Sequence, residues 1–402
     1  MRIWAIEIGE PLPITGTERL LRYGLVLPEL ASMGHDVVWW TSTFVHATSS
    51  HISDRDCTLD FAGVQIRALH GPGYPRSTSW RRLYHHAHFA HRLREAAAGS
   101  RLRPDVILCS NPTPDNLRVA LEMAAKYESG LVVDVRDNWP GDLNRGVLRP
   151  VGRVVLAPYY RWARRAFGMA DVLIGSSQSQ LRYGATLGRR KNQPWDVTIP
   201  HPYRRPGEGG AVPGLLRRIG VDGSHQIVAF VGTLSRNFEL DVAIDAVGYL
   251  KNKDTRLVIA GDGPLRTDLE RRATIHGSKI IFTGWIDSPA LVELLTAASI
   301  GLAPYRRIDG FGNKLSEYLA HGLPVITSAG VGGSEFIERN ACGANYSRGD
   351  ARSLADVLRI YLSDAALIAK QSKAAVAAHA RNFSLESVAS QFERVLQVAA
   401  NR

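Results

Sequence analysis

Apolar positions along the 402-residue chain fall into two alternating rhythms. Short runs rich in Val and Ile, "RIWAIEI", "DVVWWTS", "VQIRAL", "DVILCS", "LVVDV" and "DVLIGSS", punctuate the first half. A second series follows with "QIVAFVG", "RLVIAGDG", "KIIFTGW", "SIGLAPY" and "LPVITS". Near-continuous apolar runs suit central parallel strands, which are buried on both faces. Between them lie stretches with helical spacing, among them Thr17–Met33, Asp115–Tyr127 and Pro150–Met169. Strand and helix alternating from end to end predict an α/β chain with two doubly wound halves, each a parallel sheet covered by helices.

The segment "TIPHPYRRPGEGGAVPG" sustains neither helix nor central strand and reads as the linker. The expected division is residues 1–198, a linker at 199–214, a second domain at 215–380 and a terminal helix at 381–402. That helix has Ser384 as its N-cap and Glu386 in its first turn.

The formal net charge of +11 concentrates in two arginine-rich helical segments, Arg81 to Pro104 and Arg149 to Ala170. In these, Tyr84, Phe89 and Leu93, and Val155, Tyr159, Trp162 and Phe167, mark the apolar positions. Such helices either lie on an anionic membrane surface or serve a phosphorylated substrate; the alternative is a pair of solvated faces. No nucleic-acid-binding motif accompanies the charge, and nucleic acid is not an expected partner. Three scattered cysteines (Cys57, Cys109, Cys342) fit neither a disulfide framework nor a zinc site. The opening "MRIWAIEIGE" reads as a strand, and no run is long enough to span a bilayer. The expected setting is cytoplasmic, with peripheral attachment at the inner face of the membrane.

Candidate chemistry centres on "IDGFGNKLSEYLAHGLPVI". Gly310 and Gly312 flank Phe311 and permit close backbone approach, and Asn313 suits the cap of the helix whose apolar face is Leu315, Tyr318 and Leu319. Free amides at that helix start favour a phosphate, and Lys314 adds a full charge. Glu317 can then accept hydrogen bonds from vicinal ribose hydroxyls while Asp309 reaches a second polyol. A nucleotide-sugar has that layout. Taken alone, Glu317 reads as a first-turn acid that offsets the helix dipole; the combined spacing is what points to function.

The segment "DGFGNKLSEYLAHGLPVI" resembles the diagnostic stretch of the retaining family 4 glycosyltransferases of the GT-B fold, in which two glutamates flank an F-G step. "FVGTL", "LVIAGDGPLRTDLE", "IIFTGWID" and "GLPVITSAGVGGSEFIE" agree with it, and "DVRDNWP" resembles the bacterial surface-polysaccharide branch. The resemblance implies two Rossmann-like domains facing across a cleft, with the C-terminal helix crossing back to the first. It implies a nucleotide-sugar donor, expected to be UDP-linked, and a glycan or polyprenyl-diphosphate-linked acceptor. Carried over by position, Glu317 holds the ribose, amides around Gly312 the diphosphate and Asp309 the transferred sugar. Trp285 and Ile286 pair with the base near Gly261 to Gly263, Gly232 borders the diphosphate, the loop Gly9 to Thr17 containing Gly16 covers it, and Asp137 lies near the acceptor hydroxyl.

Two departures stand out. The first acid is Asp309, one methylene shorter than the usual glutamate, and the arginine and lysine that usually neutralise the leaving diphosphate align with Thr233 and Phe238. Arg236 is the candidate replacement, with Lys314 helping; a solvated loop residue is the competing reading of Arg236. No metal cofactor is expected, since Asp54 to Asp56 read as a surface loop and His85, His86, His88 and His91 as the polar face of a helix. His201 and Glu335 are further candidate residues, against a linker turn and a helix-start acid. The competing functions are a non-catalytic nucleotide-sugar-binding partner and a GT-B nucleotide-sugar epimerase.

Overall fold

The computed structural model describes residues 1–14, 18, 20–46, 48–75, 79–143, 154–191, 193–204, 214–306 and 313–402, without the side chains of Ser278 and Asn313. The chain forms two compact units, Met1–Pro202 with Leu385–Arg402, and Tyr203–Ser384.

The first unit is built on β1 (Arg2–Ile6), β2 (Asp36–Ser42), the β3–β4 hairpin (Phe44–Val45, Ser50–His51), β5 (Cys57–Phe61), β6 (Val64–Leu69), β7 (Val106–Asn111), β8 (Gly130–Val135), β9 (Val172–Gly175) and β10 (Val197–Thr198). Its main sheet has the order β10-β9-β8-β7-β1-β2-β6-β5. Every neighbour pairs parallel except the edge strand β5. Alternate residues of β1 feed opposite cores: Trp4 and Ile6 pack with Trp40 and Phe89, while Ile3 and Ala5 pack with Trp39 and Phe392. Burial on both faces demands apolar side chains throughout, hence the unbroken runs in the sequence.

The helix Leu385–Ala400 belongs to this unit and buries Leu385, Val388, Phe392, Val395 and Leu396 in the second of those cores. Its end comes so close to the start of β8 that a Cβ on Gly130 would lie 2.2 Å from the Ala399 carbonyl oxygen.

The second unit contains β11 (Gln226–Val231), β12 (Thr255–Ala260), β13 (Ile280–Gly284), β14 (Ile300–Ala303), β15 (Val325–Ser328) and β16 (Gly343–Tyr346). They form one parallel sheet in the order β13-β12-β11-β14-β15-β16, which reverses direction between β11 and β14. This is the doubly wound order of dinucleotide-binding folds.

Some sequence expectations need correction. The helix expected from Thr17 begins at Arg22; of the one expected from Pro150, the structure shows Ala157–Met169, and residues 150–153 lie outside the described residues. On the helix Trp80–Ala98, His85 and His86 are buried while Tyr84 is exposed, because the helix rolls His85 and His86 toward Phe44, Tyr74 and Trp139. Val155 is likewise exposed, and the buried face of Ala157–Met169 is Ala163, Ala166 and Phe167. The strands β5 and β16 have no apolar signature: edge strand β5 shows no fully buried residue, and β16 only Tyr346.

Candidate functional site

In a doubly wound sheet, ligands collect beyond the carboxyl ends of the strands where the strand order reverses. In the second unit that place lies between β11 and β14, and Tyr318 holds it together. Its buried hydroxyl accepts from the Val231 amide at 2.9 Å and donates to the Leu302 carbonyl at 3.3 Å, so one phenol ties the ends of both strands. Gly301 makes room, since a Cβ there would sit 2.5 Å from the Tyr318 ring. The loops after the two strands are also zipped together: Glu239 N donates to Pro304 O at 2.7 Å, and Arg306 N to Asn237 O at 2.9 Å.

The helix Asn313–Ala320 is thereby anchored, with Leu315, Tyr318 and Leu319 wholly buried as their spacing predicts. It carries Lys314 and Glu317. Glu317 is buried, with 3% of its surface exposed. The Lys314 ammonium stands 4.1 Å from the centroid of the Phe238 ring and 5.0 Å from that of Phe230. A Cβ on Gly232 would fall 2.2 Å from that nitrogen, so the ammonium presses directly on the backbone that leaves β11.

Gly263 lies in the neighbouring loop, where a Cβ would meet Leu234 O at 2.5 Å. Asp262 accepts from the Gly263 amide at 2.7 Å and pairs with Arg266 at 2.8 Å, and these bonds, the amide first, hold its carboxyl below the ordinary range. The Gly261 amide donates to Gly284 O at 2.8 Å, which brings Trp285 and Ile286 beside the same strand ends; Trp285 is 69% exposed. Gly232, Gly263, Trp285, Ile286, Lys314 and Glu317 therefore gather on the carboxyl edge of one sheet. Arg236 is exposed in the loop between Gly232 and Phe238. Asp309, Gly310, Phe311 and Gly312, and the side chain of Asn313, lie outside the described residues.

The first unit has its own cavity at the corresponding reversal, beyond β1 and β7. It measures about 160 Å³ and is lined by Glu7, Glu10, Arg82, Thr113, Arg136 and Asp137, among others. Arg136 pairs with Glu10 at 2.5 Å and Glu7 at 3.5 Å. Glu10 also accepts from the Tyr23 and Gly24 amides at 2.8 and 3.2 Å. One guanidinium thus serves two buried carboxylates, and burial followed by the Glu10 charge pushes the Glu7 carboxyl up to about 8. Asp137 is exposed at the cavity, its backbone pinned by Asn111. Phe44 and Tyr74 separate this cavity from a larger pocket of about 470 Å³ bounded by Trp80, Arg81 and Tyr84. Gly16 lies outside the described residues.

Sequence reading missed Glu7, Glu10 and Arg136. The signal is present in "EIGE", two acids at the carboxyl end of a parallel strand, but in sequence it looks like the end of an apolar run. Elsewhere, Asp56 is taken up by Arg92 at 2.7 Å, as expected of a surface loop. Glu335 is exposed and faces Arg339 at 3.7 Å, a helix-start acid. His201 is partly buried, which pushes its imidazole well down.

Among known proteins, residues 225–364 of the second unit match the family described as glycosyl transferases group 1. A mannosyltransferase of Mycobacterium tuberculosis, described as a GDP-mannose-dependent alpha-(1-6)-phosphatidylinositol dimannoside mannosyltransferase, is 41% identical over 124 residues, 30% of this chain and 32% of that protein. The chain thus matches about a third of that relative's length. The 2-deoxystreptamine glucosyltransferase of Streptomyces kanamyceticus is 26% identical over 59% of this chain and 63% of its own. Among solved structures, Anabaena HepE in complex with UDP and glucose superposes with a TM-score of 0.67 at 16% identity, covering 99% of each chain. That likeness establishes the fold over the whole length as GT-B, with two Rossmann-like units. Among the described residues no helix is long and apolar enough to cross a membrane.

Proposed function

We propose that the chain is a retaining, metal-independent glycosyltransferase that moves a sugar from a nucleotide-sugar to a glycan or lipid-linked glycan. The observation that carries this reading is the single sheet edge on which the unit matching that family gathers Lys314, Glu317, Gly232 and Trp285. Glu317 accepts from the ribose hydroxyls. The glycine-lined strand ends admit the diphosphate, and the backbone at Trp285 and Ile286 pairs with the base. Asp309 takes the transferred sugar.

The donor nucleotide is the open variable. Sequence resemblance favours UDP, as bound by HepE, whereas the mycobacterial relative is named for GDP-mannose. On the acceptor side, the polar cavity around Glu7, Arg82, Arg136 and Asp137 suits a hydroxylated ring, with Asp137 at the attacking hydroxyl. The exposed arginines Arg161, Arg164 and Arg165 support an acceptor held at an anionic membrane surface.

Calorimetric titration with UDP, GDP, ADP and dTDP, without metal, tests the donor site. Selective binding of one nucleotide, weakened at least about tenfold in Glu317→Ala, is expected from the loss of a buried acceptor of two hydroxyls. Equal indifference to all four contradicts the reading.

A further inference from the structure

Resting on the donor reading above, we propose that Lys314, seated on Phe238, supplies the positive charge that holds the diphosphate, in place of the missing arginine and lysine. The sequence puts Thr233 and Phe238 where those two cations are expected, and the simplest interpretation of that loss is a retired site. The geometry points elsewhere. The ammonium of Lys314 lies over the Phe238 ring and against the backbone of Gly232, so a full charge is still delivered to the end of β11, from the helix Asn313–Ala320 on the far side of the strand reversal.

The parts depend on one another. An aromatic face attracts an ammonium, whereas a lysine at 238 would bring a second ammonium to a site already occupied by one and repel it. Phe238 therefore fits a site whose cation arrives from position 314. Gly232 completes the exchange, because a Cβ there would meet Lys314 Nζ at 2.2 Å and Cε at 2.9 Å. Phe238 is itself fixed, paired with Tyr305 in a backbone bridge and packed edge-on against Phe230 with centroids 5.2 Å apart. It is a positioning residue; Lys314 is the group that touches the ligand.

Lys314 also stands three residues before Glu317 on the same helix, hence on neighbouring positions of one face. Diphosphate and ribose are adjacent groups of one nucleotide, so one rigid helix would read both. Arg236, exposed in the loop, is not needed for this role.

The test compares nucleoside diphosphate with the monophosphate of the same base by calorimetry, on the wild type, Lys314→Met, Lys314→Arg, Arg236→Ala, Phe238→Tyr, Phe238→Leu and Phe238→Lys. The wild type is expected to prefer the diphosphate by about tenfold or more, the scale of a charge-assisted contact. Lys314→Met abolishes that preference while monophosphate affinity and thermal midpoint hold, and Lys314→Arg restores part of it. Arg236→Ala keeps it, Phe238→Tyr keeps it, Phe238→Leu reduces it, and Phe238→Lys weakens diphosphate binding. A preference that survives Lys314→Met, or that disappears in Arg236→Ala, overturns the assignment. Failure of the wild type to bind any nucleotide overturns the donor reading and this assignment with it, a result distinct from either.

Discussion

Arg22 and Asp134 form an ion pair with both side chains wholly buried, Nε donating to Oδ2 at 2.8 Å and Nη2 to Oδ1 at 3.2 Å. The same guanidinium donates to Pro200 O at 2.7 Å and lies 4.7 Å from the Phe392 ring centroid. One side chain thus ties the helix Arg22–Ser32, strand β8, the segment leaving the sheet and the C-terminal helix. Truncating one partner of such a pair leaves a buried charge unmatched, at a cost of about 3–5 kcal/mol. Arg22→Met is therefore expected to lower the urea midpoint of the first unit sharply, and the joint change Arg22→Met with Asp134→Leu to recover much of the loss.

The Glu7 carboxyl makes the stability of the first unit fall as pH rises. Its pKa goes from 4.5 to about 8 on folding, mainly through burial and then through Glu10. Between those values the folded chain keeps a proton that the unfolded chain has released, so raising pH favours unfolding. Glu7→Gln is expected to leave stability unchanged near the lower limit and to raise it above the upper one, as urea midpoints across that range will show.

His85 acts in the opposite sense. Gly73 N donates to its Nδ1 at 3.2 Å and Ser42 Oγ lies 3.3 Å from Nε2, an arrangement that suits the neutral ring with its proton on Nε2. Burial lowers its pKa from 6.5 to about 4. The unfolded chain then binds more protons as pH falls through that window, and stability is lost with it. His85→Gln should flatten this acid limb of the same urea series while leaving the alkaline limb due to Glu7 in place.

Membrane attachment is testable separately. Arg161, Arg164 and Arg165 are exposed on the helix Ala157–Met169. With about 1 kcal/mol for each basic residue near an anionic surface, replacing all three by Ala should weaken binding to anionic vesicles by about two orders of magnitude. Equal binding to neutral and anionic vesicles, or binding to neither, contradicts an electrostatic anchor.

What the sequence revealed follows from burial. The central strands are covered on both faces, so "DVVWWTS" and "QIVAFVG" announce themselves, whereas β5 and β16 expose too much to carry an apolar run. The helix bearing Lys314 and Glu317 was legible because Leu315, Tyr318 and Leu319 all face the core. His85 and His86 were misplaced because polar rings that pack against Phe44, Tyr74 and Trp139 look, in sequence, like a solvated face. The contact of Lys314 with Phe238 was hidden for another reason. It joins a loop and a helix separated along the chain by three strands and several helices, and only the sheet order brings them together.

The most direct test of the glycosyltransferase reading is release of nucleoside diphosphate from a panel of UDP-, GDP-, ADP- and dTDP-sugars, in chelator, with lipid-linked glycan acceptors. The account predicts release from one nucleotide class, stimulated by acceptor, with the anomeric configuration of the donor kept in the product, and its loss in Glu317→Ala. Folded wild-type protein that binds a nucleotide but releases none from any donor, with every acceptor, would contradict it and leave a nucleotide-sugar-binding protein without transfer.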